Sequence, residues 1–196
     1  MAEGRDEFPD VAMPARPALI ILAVLAVIYA AVFSLIGRDV QTSLPDLLAS
    51  GILATGLLAL SYIDLRTGLL LDILTLPLTV LGIAFSVWNG TWMLSLAGAL
   101  LGYAMIAGLA YYWRTRRGYE GIGLGDAKLL AAGGAWVGVA GLPLLLLIAS
   151  SVGIVAAISV SGKAQSPSER LAIPFGPSLA LGTWVVWCGI ETVLPI

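Results

Sequence analysis

The chain has 196 residues, of which 59% are apolar and only 11% charged, with a formal net charge of −2. A soluble domain carries about 25% charged residues, so a water-soluble globule is excluded, and the even charge balance offers no basic surface for nucleic acid. One cysteine, Cys188, and the absence of histidine exclude a disulfide framework, a Cys/His metal site and any imidazole-dependent triad.

The apolar runs predict an all-α, polytopic bundle of about seven membrane spans at roughly 20 residues each. In chain order they are Ala18–Ile36, Leu47–Ile63, Ile73–Trp88, Trp92–Trp113, Ala127–Ala140, Leu142–Ser161 and Phe175–Leu194. Residues 1–17 form a cytoplasmic tail and 18–196 one membrane-embedded domain. The first run is too long for the apolar core of a signal peptide. It follows Glu3, Asp6, Glu7 and Asp10 rather than a basic patch, so it reads as a retained span. The fifth, short and rich in Gly and Ala, is expected to tilt or sit deep between its neighbours.

With the N-terminus in the cytoplasm, every Lys and Arg except Arg38 falls on the inner side, as the positive-inside rule requires. Small residues four apart, Gly98–Gly102 and Gly134–Gly138, are expected to let helix backbones pack closely. Trp88, Trp92, Tyr111, Tyr112 and Trp113 sit at span ends, where an interfacial aromatic belt belongs.

Carboxylates near hydrocarbon are costly, so each needs a reason. Glu3, Asp6, Glu7, Asp10, Asp39, Asp46 and Glu169 fall in tails or loops, and Glu191 lies near the outer end of the last helix; solvation accounts for all of them. Asp64, Asp72 and Asp126 do not fit that account, because they mark the cytoplasmic ends of the second, third and fifth helices. Asp72 and Asp126 precede apolar runs, where a carboxylate can cap free N–H groups. Asp64 ends a helix, where the dipole opposes an anion unless the carboxyl is protonated or paired, for example with Arg66. Asp126 also ends the glycine-rich stretch Gly121-Ile122-Gly123-Leu124-Gly125-Asp126. That stretch lacks the lysine and hydroxyl of a phosphate loop; its glycines can let the backbone approach another chain or hold the aspartate in an unusual turn.

Three blocks in this order resemble the type IV prepilin peptidase family of Gly-x-Gly-Asp membrane proteases. The first is Tyr62-Ile63-Asp64 with Asp72 in Leu71-Asp72-Ile73. The second is Gly123-Leu124-Gly125-Asp126 and its continuation through Lys128 to Trp136. The third is Ile173-Pro174-Phe175-Gly176-Pro177. The resemblance implies that Asp64 and Asp126 are the catalytic pair, with Asp72, Gly123, Gly125, Lys128, Pro174, Gly176 and Pro177 as supporting motif residues. It implies an aspartic endopeptidase that removes the basic leader of prepilins or pseudopilins, with no cofactor and no metal. It places the chain in the bacterial inner membrane, serving type IV pilus assembly or protein secretion.

Membrane lipids are the other expected partners, anionic headgroups facing Arg114, Arg116 and Arg117; nucleic acid is not one, and homo-oligomer formation is left open. Glu120, just before the glycine stretch, is expected to attract the basic leader. In two respects the chain departs from the family pattern. Leu71 stands where a proline usually precedes the second aspartate, and the paired Cys-x-x-Cys region associated with N-methylation is missing. The expectation is therefore a peptidase-only short form. Another Gly-x-Gly-Asp intramembrane protease is the enzymatic alternative, though the C-terminal block lacks a Pro-Ala-Leu motif. A small proton-coupled transporter component is the non-enzyme alternative; its ionisable groups belong near the bilayer midplane, whereas these lie at span ends.

Overall fold

A computed structural model describes residues 14–37, 43–117, 123–161 and 174–193. Every element among them is helical: α1 (Ala15–Val32), running on into a π-helical turn at Phe33–Gly37, α2 (Leu44–Thr67), α3 (Asp72–Trp88), α4 (Trp92–Arg117), α5 (Leu124–Ser161) and α6 (Gly176–Val193). Four of the helices are long and apolar enough to cross a membrane, and α3 is a shorter apolar helix. The tail before Pro14, Arg38, Asp39, Glu120, Lys163, Glu169, Arg170 and the side chain of Glu191 lie outside the described residues.

Where the sequence predicts separate fifth and sixth helices divided near Gly141, α5 carries its break at Gly138, with φ 68° and ψ 176°. A straight helix would hold residues 133 and 145 roughly 18 Å apart. Instead a Cβ built on Gly133 would stand 3.0 Å from the Leu145 side chain, so the chain turns back on itself at Gly138. Only glycine adopts that backbone conformation without strain, and Gly141, Leu142 and Pro143 continue inside the returning arm.

The arms of α5 form the centre of the bundle. Lipid tails are as apolar as leucine, so helices in a membrane gain by close backbone approach and by polar ties between them. Both devices are present. A Cβ on Gly98 of α4 would fall on the carbonyl oxygen of Gly134, and one on Gly102 would come 2.7 Å from the carbonyl of Leu130. Gly98, Gly102 and Gly134 thus serve close packing, whereas Gly138 serves the break. The Ser95 hydroxyl donates to the Ala135 carbonyl at 2.6 Å, the Trp136 indole to Leu78 at 2.8 Å, and the Trp184 indole to Tyr29 at 3.0 Å. Leu53, Leu57, Leu60, Leu129, Leu130, Leu145 and Leu179 fill the space between these ties, all fully buried. Trp88, Trp92, Tyr111 and Tyr112 are exposed at helix ends, as an interfacial belt would have them.

Helix ends depart from the sequence reading by a few residues. Asp46, expected in a solvated loop, sits in the first turn of α2, where Ser43 is the N-cap, its side chain accepting from the Asp46 N–H, and Pro45 follows. A proline there sacrifices no hydrogen bond, since the first-turn N–H groups have no helical partner. At the other end of α2, Gly68 takes the left-handed conformation, φ 63°, and its N–H returns to the Asp64 carbonyl at 2.8 Å. This cap stops the helix one turn after Asp64 and starts the short loop to α3.

Candidate active site

Asp64 is buried, with 5% of its surface exposed, in the last turns of α2. At that end its own helix dipole opposes an anion. The compensation comes from elsewhere in the chain: the N–H of Gly176, first residue of α6, donates to Asp64 Oδ2 at 2.9 Å. The carboxylate of one helix C-terminus thereby sits at the N-terminus of another, where unpaired N–H groups favour negative charge. Arg66, the partner suggested by sequence, makes no ion pair with Asp64 among the described residues; Gly176 takes that role.

The third sequence block explains why α6 starts there. Pro177 occupies the first turn, where it lacks only an N–H that has no helical partner, and the Phe175 carbonyl accepts from Ser178 and Leu179 to close that turn. Gly176 must be glycine because a Cβ would come 2.5 Å from Asp64 Oδ2. Pro174, half-buried, leads into this start.

Asp126 lies in the first turn of α5, half-buried. Although distant from Asp64 in sequence, its turn packs through Gly125 on Leu70, in the loop that follows Asp64. The glycines before it act differently from each other. Gly125 packs on the loop after α2, where a Cβ would meet the Leu70 Cβ at 3.1 Å. Around Gly123 the nearest atom to a Cβ among the described residues would be Asp126 Oδ2 at 3.9 Å, an ordinary contact. Gly125 has no positive φ, and close approach is the role that it fulfils; Gly121 and Ile122 lie outside the described residues.

Asp72 is the first residue of α3, after Leu71 as the N-cap, and so lies in the helix's first turn, where its charge complements the dipole. It also binds Lys128, the ammonium reaching Asp72 Oδ1 at 2.6 Å and Oδ2 at 2.7 Å. Asp72 therefore makes an ion pair between α3 and α5. The structure thus gathers Asp64, Asp126 and Gly176 at one end of the bundle, with Gly125 and the Asp72–Lys128 pair beside them.

Sequence reasoning missed Leu70 and Gly68. Leu70 gave no signal in an apolar run, whereas Gly68, following a helical pattern that ends in Arg66-Thr67, is a recognisable helix stop.

The sequence pattern of the type IV leader peptidase family matches residues 51–158. Among similar proteins is a prepilin leader peptidase/N-methyltransferase of Burkholderia pseudomallei (strain 1026b), 42% identical over 132 residues, which are 66% of this chain and 42% of that protein. One of the same name from Aeromonas salmonicida (strain A449) is 41% identical over 140 residues, 70% of this chain and 48% of the relative. A third, from Neisseria gonorrhoeae, is 36% identical over 144 residues, 72% and 49% of the two chains. The chain thus spans about half the length of the curated relatives it matches. No solved structure matches it. With its pattern matched over more than half of its length, the chain belongs to the type IV leader peptidase family.

Proposed function

We propose that this chain is a membrane aspartyl endopeptidase that cuts the basic leader from type IV prepilins or prepilin-like proteins at the cytoplasmic face of the bacterial inner membrane. The observation that supports the reading is the packing of Gly125, beside Asp126, on Leu70 of the loop that follows Asp64, within a family of leader peptidases. Two neighbouring carboxylates do not both ionise readily and hold one proton between them. The ionised member takes a proton from water, whose oxygen attacks the scissile carbonyl carbon, while the protonated member donates to the carbonyl oxygen. The tetrahedral intermediate then breaks its C–N bond, the leaving amine takes a proton, and the pair returns to its one-proton state. No covalent intermediate is needed.

Seven crossings with a cytoplasmic N-terminus complete the proposal, residues 18–196 forming the membrane-embedded domain. The reversal at Gly138 and the distribution of Lys and Arg support it. That topology puts the pair on the side where a leader emerges, and turns Arg114 and Arg116 toward anionic headgroups. N-methylation, the second activity in the relatives' names, is not part of the proposal.

The test is cleavage of a prepilin by the purified protein in detergent or liposomes. Asp64→Asn and Asp126→Asn are each expected to lower kcat by about 10²–10⁴-fold, the range that positioned acid–base groups supply. Normal cleavage by either variant removes the pair assignment.

A further inference from the structure

The Asp72–Lys128 ion pair lies beside the two carboxylates without belonging to them. Lys128 follows Asp126 by two helical positions, a rotation of about 200° around α5, so its side chain leaves the helix on nearly the opposite side. The ammonium is seated between both Asp72 oxygens, at 2.6 and 2.7 Å. Asp72 in turn ends the loop that begins at the Gly68 cap on Asp64, and Leu70 of the same loop rests on Gly125. The loop that leaves one aspartate therefore grips the helix of the other on both flanks, at Gly125 before Asp126 and at Lys128 after it.

We propose that the Asp72–Lys128 pair is a positioning clamp, setting the rotation of the first turn of α5 and with it the reach of Asp126 toward Asp64. This deepens the peptidase reading and rests on it for its kinetic consequence. Asp72 is 54% and Lys128 34% exposed, and ion pairs open to solvent contribute little to stability. The pair's contribution is therefore geometric: with Leu70 against Gly125, it fixes the setting of the first turn of α5 from both flanks.

Four variants in detergent test this: Asp72→Asn, Lys128→Gln, Lys128→Arg, and the exchange Asp72→Lys with Lys128→Asp. Three readouts are taken, namely kcat and KM on a prepilin, thermal unfolding, and hydrogen–deuterium exchange over residues 124–130. Each neutralised single variant is expected to lose about tenfold to hundredfold in kcat, as small displacements of reacting groups do. KM and unfolding temperature stay near wild type, and exchange over 124–130 quickens. Lys128→Arg, which keeps two-point contact with a carboxylate, and the exchanged pair recover most of both losses.

Singles with unchanged kcat and unchanged exchange overturn the clamp. So does a loss confined to KM, which would make Lys128 a substrate contact, or a kcat loss matched only by lowered unfolding temperature. Wild-type protein that cleaves no prepilin while its variants still loosen residues 124–130 overturns the peptidase reading and leaves the clamp standing.

Discussion

Asp64 hangs from the C-terminal end of α2, yet its carboxylate is held by the N–H of Gly176 at the N-terminus of α6, 2.9 Å away. One contact resolves the electrostatic anomaly of an acid at a helix C-terminus and fixes one of its oxygens. Gly176 lacks the side chain that would push Asp64 aside, so this glycine determines where the first aspartate stands.

Gly176→Ala is accordingly expected to damage the proposed activity more than stability. The new Cβ would come 2.5 Å from Asp64 Oδ2, and the carboxylate must rotate off the N–H. Turnover should fall by about a hundredfold, the cost of misplacing a reacting group by roughly 1 Å, and the far-ultraviolet circular dichroism should not change. Kinetics on a prepilin with a parallel spectrum checks both halves.

The helical character and most of the apolar segments were legible in the sequence, because apolar runs are local signals; lone charges singled out three aspartates, and only the family resemblance chose Asp64 with Asp126. Asp64 could be marked as misplaced from its own helix alone. Its partner could not be found that way, since Gly176 approaches from the last helix and packing alone brings it there. Asp72 shows the same limit: at the start of an apolar run it reads as a cap, and only the fold reveals Lys128 opposite it. The reversal in α5 was expected near Gly141, where Leu142 and Pro143 follow. It falls at Gly138 because the turn depends on one residue's φ, which a stretch with four glycines, Gly133, Gly134, Gly138 and Gly141, does not betray.

The two motif glycines should separate on mutation. Gly125→Ala puts a methyl 3.1 Å from the Leu70 Cβ, tighter than ordinary contact, whereas Gly123→Ala meets nothing nearer than 3.9 Å among the described residues. Gly125→Ala is expected to lose about tenfold in turnover through displacement of the first turn of α5. Gly123→Ala should lose less. Equal losses in a side-by-side assay would mean that the glycines serve mobility and not close approach.

The Trp136 indole donates to the Leu78 carbonyl at 2.8 Å and covers Gly82, where a Cβ would stand 2.8 Å from the ring. Gly82→Ala alone should therefore destabilise, by about 1–3 kcal/mol, as overpacking does. Trp136→Ala removes the hydrogen bond, at about 0.5–1.5 kcal/mol, and with the ring the atoms nearest to Gly82, at about 3–5 kcal/mol for emptying a core site. In that background Gly82→Ala should turn neutral or favourable, since alanine exceeds glycine by about 1 kcal/mol in helix propensity. Unfolding of the four members of the cycle in mixed micelles measures the change of sign, and additive losses would refute the contact.

Gly134 and Gly138, four residues apart in one small-residue pattern, should fail for different reasons. At Gly134 an added Cβ would fall on the carbonyl oxygen of Gly98. The obstacle is backbone, so α4 and α5 must separate, and no trimming of a neighbouring side chain can restore the contact. At Gly138 a Cβ has room, its nearest neighbour being the Leu94 Cβ at 3.7 Å, but φ 68° with ψ 176° is a region almost closed to L residues. Gly138→Ala should cost about 1–3 kcal/mol from strain alone. Asparagine should do no better there, because its tolerance of positive φ is for the left-handed helical region, whose ψ is far from 176°. Leu94→Gly removes the Cβ nearest to the new methyl, so combining it with Gly138→Ala and comparing with Leu94→Gly alone makes the distinction measurable in a micelle unfolding titration. Strain leaves the loss in place, whereas recovery would show that crowding against α4, and not the backbone of the turn, demands glycine at this position.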